Sequence, residues 1–385
     1  MKVILILFLL FASATEAICA GNTWIQRADF PANGRHRGTA VSIGNKGYMG
    51  LGHYNGAGPN IVLKDWWQFD PATNSWSQKA DYIGNNGNGN YAVLAFGMTN
   101  YGYIGGGQLA VNTSFYRYDP LNNTWQAMAN SPTISMNTAG FVINNKGYYL
   151  SGSTLYEYTE TTNSWTSKGN APFNVATWNS AFTINDKGYV KSGFGLFEYK
   201  QSTNQWISRA PFPGHASAGS VAFTQNNKGY IVAGYGTWLS DLTSEVWEFN
   251  PANNQWTMMN EFEGTSRRFS SGFNIGNRCY IGTGTNGTNF SDFWEFDALA
   301  NLEEEFDINQ FKIYPNPATE FVKFESGNLN DFEVHVFNQN GGLISKLSTN
   351  NHQVLLERNN LSKGIYYFSI LSGDKVVYTN KFIFK

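Results

Sequence analysis

Apolar and polar positions along this chain recur in a fixed pattern every 40 to 55 residues. One phrase reads Asn, then Ser, Thr or Gln, then Trp, and it ends at Trp24, Trp76, Trp125, Trp165, Trp206 and Trp256. A second is a turn closing on Tyr, at Tyr48, Tyr103, Tyr148, Tyr189, Tyr230 and Tyr280. A third is aromatic-x-aromatic: Trp67/Phe69, Tyr116/Tyr118, Tyr156/Tyr158, Phe197/Tyr199, Trp247/Phe249 and Trp294/Phe296. Side chains alternate across a strand, so these short alternating runs between Asn- and Gly-rich turns predict strands rather than helices. Three phrases per repeat predict four strands, A to D. A and B join at the Asn-x-Gly-Tyr turn, C carries the aromatic pair, and D begins at the Asn-x-Trp phrase.

Counting back from each Tyr exposes the packing. Seven positions earlier stand Val41, Phe96, Phe141, Phe182, Phe223 and Phe273, and eight earlier stand Ala40, Ala95, Gly140, Ala181, Ala222 and Gly272. Each sheet thus offers a bulky residue on one face and a small one on the other, so neighbouring sheets nest. Self-similarity of this period dictates a repeat architecture.

Composition agrees. Charged residues are 14% of the chain, against about 25% in typical soluble domains; aromatics are 16%, and there are 40 glycines. The net charge of −2 exerts no global pull on nucleic acid, and no nucleic-acid motif appears. Residues 1–20 read as a signal peptide: Lys2, an apolar run from Val3 to Ala12, then small residues. Cleavage fits after Ala17, Cys19 or Ala20; a lipoprotein reading would acylate Cys19, for which Glu16-Ala17-Ile18 is a poor lead-in. No second stretch approaches the ~20 apolar residues of a membrane span. Cleavage behind Cys19 leaves Cys279 alone, so packing and not disulfides must hold the fold.

The three phrases resemble kelch repeats over residues 21–300, and that resemblance implies a β-propeller. Six copies are present, but the sixth lacks an Asn-x-Trp phrase while the chain's start has a spare one, Asn22-Thr23-Trp24. The expectation is an all-β, six-bladed propeller whose Trp24 to Ala28 segment supplies strand D of the last blade. That closure leaves no open sheet edge. Cys279 departs from the pattern, standing where five copies have Gly; it reads as a tolerated small residue or as a reactive thiol.

An acidic linker, residues 301–310 with Glu303-Glu304-Glu305, precedes a small β-sandwich over 311–385. Its Ile313-Tyr314-Pro315-Asn316-Pro317-Ala318, its Leu361-Ser362-Lys363-Gly364-Ile365-Tyr366-Tyr367 and its terminal Lys381-Phe382-Ile383-Phe384-Lys385 resemble the type A C-terminal sorting domain of the type IX secretion system. The resemblance implies a Bacteroidetes-type bacterium, the type IX machinery as a partner, and a secreted or outer-membrane-attached product.

In such a propeller the D–A and B–C loops share one face. From the Tyr of strand B to the second aromatic of strand C is 21, 15, 10, 10, 19 and 16 residues in successive repeats, which predicts a rim that is low at the third and fourth blades. Arg35, His36, Arg37, Arg267 and Arg268 precede strand A of two blades that closure makes neighbours. His53, Asn90, Asn137 and Trp238 join them as candidate ligand contacts. Arg matches carboxylate or sulfate bidentately, so the cluster fits an anionic ligand. The alternative is that the arginines satisfy loop carbonyls or pair with Asp29, Glu261 and Glu263. Trp66 and Trp238 read as exposed loop tryptophans able to stack on sugar rings.

No phosphate loop, zinc spacing or nucleophile elbow appears, and no cofactor or metal site is expected. Galactose oxidase is a kelch propeller with a copper held by Tyr and His, but no such ligand set is evident here. N-acetylneuraminate mutarotases are six-bladed kelch proteins; acid–base work of that kind would fall to His36, His215 or Glu263. Three functions stay open: a displayed module binding a glycan or protein through the loop face, a mutarotase-like enzyme on acidic sugars, and a structural adhesion or matrix component.

Overall fold

The structure, a computed structural model, describes residues 23–298 and 311–385, apart from 56, 57, 59, 110–112, 134–137, 328, 340, 341 and 374. The signal peptide, Asn22, Asn137 and the acidic linker lie outside the described residues. The chain divides into two units, Met1–Ala298 and Leu299–Lys385. No helix among the described residues is long and apolar enough to cross a membrane.

The first unit is all-β and propeller-like. Five four-stranded antiparallel sheets follow one another through 39–79, 94–127, 140–170, 180–208 and 221–258. A sixth joins Ser271–Ile275, Arg278–Gly282 and Phe293–Asp297 to the chain's first strand, Thr23–Gln26. The register there sets Trp24 opposite Phe296, and Trp24 is buried against the rings of Phe262 and Phe296, each 4.8 Å away. The A strands touch in chain order, and Ser271–Ile275 touches Thr39–Ile43 in turn.

The repeated phrases act as staples between sheets. Asn74, Asn123, Asn163, Asn204 and Asn254 take the left-handed conformation that a short polar side chain tolerates. In all of these but Asn204, Oδ1 accepts the backbone N–H of an Ala that follows strand D of the preceding sheet. In the same four phrases the Trp two residues on donates its Nε1–H to the carbonyl of that Ala. Asn123 and Trp125 hold Ala80 at 2.8 and 2.9 Å; Asn254 and Trp256 hold Ala210 at 3.0 and 3.0 Å. Asn74 and Trp76 of the first sheet hold Ala28, just past the strand that completes the sixth, at 3.0 and 2.9 Å.

The nesting of sheets is tighter than the small residue eight positions before Tyr alone would give. In four of the sheets the glycine directly before the Tyr is the main recess. A Cβ on Gly47, Gly147, Gly188 or Gly229 would lie 2.1 to 2.2 Å from the ring of Phe273, Phe96, Phe141 or Phe182 of the adjacent sheet. Cys279 occupies the corresponding position in the sixth sheet, fully buried, with Asn274 Nδ2 3.0 Å from its sulfur. Burial pushes its thiol well above the ordinary value, so it behaves as a small core residue and not as a nucleophile.

The second unit packs a three-stranded sheet (Phe311–Tyr314, Phe321–Ser326, Gln353–Glu357) against a four-stranded one. The two faces share a core of Val322, Phe324, Val334, Val336, Phe368 and Phe382. Its opening and closing motifs meet: Ala318 bonds the backbone on either side of Phe384, and Asn316 Oδ1 accepts the Ile383 N–H at 3.1 Å.

Candidate functional site

The site grows from one backbone position. Eleven residues before the Tyr of strand B stand Arg37, Ala92, Trp178, Gly219 and Phe269, with φ of 58°, 57°, 59°, 68° and 58°. A positive φ is uncommon for residues other than glycine. Here a chain of backbone bonds fixes it in five sheets. Ala92 N–H donates to Arg37 O at 2.9 Å; Arg37 donates to Phe269, Phe269 to Gly219 and Gly219 to Trp178, each at 3.0 Å. The matching residue of the third sheet, Asn137, is outside the described residues. These residues line a cavity of about 190 Å³, to which all six sheets contribute the loop-side ends of their A strands.

At this mouth the Arg37 guanidinium lies 4.9 Å from the Trp178 ring centroid and 4.8 Å from that of Phe269. Arg268 stands on the next sheet, donating from Nη1 to the carbonyl of Leu239. Burial first, and Arg37 second, pull Arg268 below its ordinary value; burial does the same to Arg37. Neither has a carboxylate partner among the described residues, and Nε of each is buried without a hydrogen bond. Asn179 Nδ2, Ser220 Oγ and Ser271 Oγ, on residues lining the cavity, are likewise buried and unpaired. An array of unused donors beside two uncompensated guanidiniums suits an oxyanion with hydroxyl groups around it.

Two histidines complete the mouth. His36 and His53 pair through their backbones, and their rings sit 5.2 Å apart. His36 Nδ1 lies 2.8 Å from Asn289 Oδ1. Burial lowers the His36 pKa to about 4, against the opposing bond to Asn289, and Arg37, His53 and Arg268 push the same way as burial. Burial and Arg37 also lower His53. Both rings are therefore neutral near pH 7. Tyr235, whose ring is 5.6 Å from Phe269, is raised by burial and held back by the two arginines.

The remaining candidates go elsewhere, which corrects the expectation of a single cluster. Arg35 and Arg267, thirteen positions before their Tyr, are fully buried in the walls. Arg35 is bidentate to Asp65 at 2.6 and 2.8 Å, and Arg267 to Asp292 at 2.5 and 2.7 Å. Each also donates to backbone carbonyls, those of Leu51 and Thr283 among them. Their acids are thus Asp65 and Asp292, not Asp29, Glu261 or Glu263. Asn90 holds the same position in the second sheet, its amide spent on Gly106 O and Tyr91 N–H.

Among the acid–base candidates only His36 reaches the mouth. His215 pairs with Asp241 at 2.8 Å in a separate groove, and Glu263 is exposed on an outer loop. Trp66 is fully buried, packed on Trp125 at 5.6 Å, because it fills an apolar column shared with Phe115, Leu155, Leu196, Val246 and Phe293. Trp238 is 72% exposed, on the loop that Arg268 ties down through Leu239. The residues missed from sequence are Phe269 and Tyr235.

Comparison with known proteins adds three likenesses. Residues 312–385 match the family of secretion system C-terminal sorting domains, which marks the chain for type IX export to the surface or beyond. Over 145 residues the chain is 26% identical to the ulvan lyase NLR42 of Nonlabens ulvanivorans, covering 35% of this chain but only 27% of that enzyme. The solved structure of YjhT superposes with a TM-score of 0.59 at 16% identity, over 69% of this chain and 95% of that one. At that identity the likeness is one of fold.

Proposed function

We propose that the first unit is a closed six-bladed kelch propeller that binds an acidic glycan at the mouth of its axis, displayed or released after type IX export. The observation that carries this reading is the pair Arg37 and Arg268, neither of them neutralised by a carboxylate among the described residues, with Arg37 lining the cavity among unused donors and Arg268 within electrostatic reach of it. A charge-assisted bond to such a guanidinium contributes about 1.5–3 kcal/mol, and the flanking aromatic rings give a sugar an apolar face to lie on. The partial likeness to an enzyme named for ulvan leans toward a sugar. The return of the sixth A strand to the first, and the grip of Asn74 and Trp76 on Ala28, support closure and the count of six.

Binding is favoured over catalysis because no carboxylate is among the described residues lining the cavity, and His36, next to the lining residue Arg37, is held neutral. The test is a glycan array containing ulvan, uronate and sulfated oligosaccharides, probed with the wild-type protein and with Arg268→Glu. Retention of acidic glycans by wild type and their loss in the variant is the expected result. Equal retention removes the anion mouth. Anomer exchange of N-acetylneuraminate, followed by NMR, checks the mutarotase alternative and is expected to run at the uncatalysed rate.

A further inference from the structure

A second opening lies beside the mouth, where the fourth and fifth sheets meet. It is a groove of about 440 Å³ lined by Phe194, Pro213, Gly214, His215, Gly236, Thr237 and Glu245. Its construction is specific. A Cβ on Gly214 would lie 2.4 Å from Trp247 Nε1, and one on Gly236 2.4 Å from Asp241 Oδ2 and 2.6 Å from His215 Nε2. Both glycines therefore let the backbone approach these polar groups more closely than any side chain would permit. Glu245 Oε2 is fixed by the His215 N–H and by Trp247 Nε1–H, each at 2.8 Å. Asp241 is fixed by His215 Nε2 at 2.8 Å and the Thr237 N–H at 3.1 Å. The loop carrying His215 is anchored from below by the buried Lys191 ammonium, which donates to the carbonyls of Ala216 and Ser217 at 2.7 and 3.1 Å.

Over this groove stands Phe194, on the tight turn between strands B and C of the fourth sheet. It is 51% exposed and its ring contacts no other ring among the described residues. An exposed aromatic face beside fixed acceptors is the arrangement that holds a pyranose: the ring's C–H face lies on the aromatic and its hydroxyls donate to carboxylates. Asp241 and Glu245 disfavour a second anion. The groove lies near the mouth, since Tyr235, within electrostatic reach of Arg268 and Arg37, is followed in the chain by the groove residues Gly236 and Thr237, a span of at most ~7 Å.

We infer that this groove is a second saccharide subsite, taking a neutral pyranose against Phe194 with its hydroxyls on Glu245, Asp241 and His215, next to the acidic residue held at the mouth. The inference rests on the reading of the mouth as an acidic-sugar site and makes the ligand at least a disaccharide of mixed charge.

The experiment is calorimetric titration of the secreted protein with glucuronate, a glucuronate–glucose disaccharide and methyl glucoside, for wild type, Phe194→Ala and Glu245→Gln. The disaccharide is expected to bind wild type about tenfold more tightly than glucuronate. Each variant should lose that gain while keeping glucuronate affinity. A disaccharide no tighter than glucuronate, or a gain that survives Phe194→Ala and Glu245→Gln, overturns the subsite. If glucuronate fails to bind but methyl glucoside binds in a Phe194-dependent way, the mouth reading falls and the subsite stands. If none of the three binds, both fall. Phe194 is exposed on a turn and Glu245→Gln keeps its shape, so folding is preserved, as the thermal transition of each variant will show.

Discussion

Two arginines of the first repeat, Arg35 and Arg37, stand two residues apart and lead opposite lives, and Arg267 and Arg268 repeat the contrast in the sixth. In the walls, Arg35 and Arg267 are buried, bidentate to Asp65 and Asp292, and hold loop carbonyls. At the mouth, Arg37 and Arg268 keep unpaired Nε–H groups and aromatic neighbours instead of an acid. Residue type is the same; position before the strand decides. Thirteen before the Tyr a side chain enters the wall; Arg37, eleven before it on a left-handed backbone, lines the cavity, and Arg268, twelve before it, lies within electrostatic reach of Arg37. A guanidinium whose charge is already met builds structure, and one whose charge is unmet is available to a ligand.

The largest effect is expected in the walls. Asp292→Ala leaves Arg267 buried and unpaired, which costs about 3–5 kcal/mol; urea denaturation of the secreted protein should show it, and Asp65→Ala should do likewise through Arg35. At the mouth the effects invert. Arg37→Met should leave stability within about 1 kcal/mol, or raise it, because a desolvated and unpaired charge disappears. The same change should weaken acidic-glycan binding about tenfold or more.

A smaller and graded effect comes from pH. His36 has a folded-state pKa below its unfolded value, so folding favours the neutral ring. Its contribution to stability is complete above about 6.5 and is lost as pH falls from there toward 4. A bound anion favours the imidazolium, so acidic-glycan affinity should rise from pH 7 to pH 5 with proton uptake, measurable by titration in buffers of different ionisation enthalpy. His36→Gln should flatten that rise. Least of all, Cys279→Ala should alter neither binding nor expression, and the native thiol should react with a disulfide reagent only after denaturation.

What was legible in the chain were interactions carried by short phrases. Asn-x-Trp, the Tyr turn and the aromatic pair each complete their strand and staple a neighbour, so their spacing alone reveals four strands and their repetition. The division among the arginines was harder, because Arg35 meets Asp65 thirty residues away. A signal existed nonetheless: Arg stands thirteen before the Tyr only in the two repeats that also carry Asp two residues before a Trp, Asp65-Trp66-Trp67 and Asp292-Phe293-Trp294. Trp66 follows a long loop, but its place three residues before Phe69 is the buried apolar position of strand C, and it is that position that sets its burial. Phe269 could not be read as a mouth residue from sequence, because its left-handed φ comes from hydrogen bonds to the adjacent sheet and leaves no local mark.

The claim that the mouth is a ligand site because its arginines are uncompensated is tested most directly by titrating a glucuronate-containing oligosaccharide into wild type, Arg37→Met and Arg268→Glu at low and high salt. Binding to wild type should weaken with salt and be lost in both variants, with neither variant unfolded under the titration conditions. Equal affinity in all three proteins, or none in any, would contradict it.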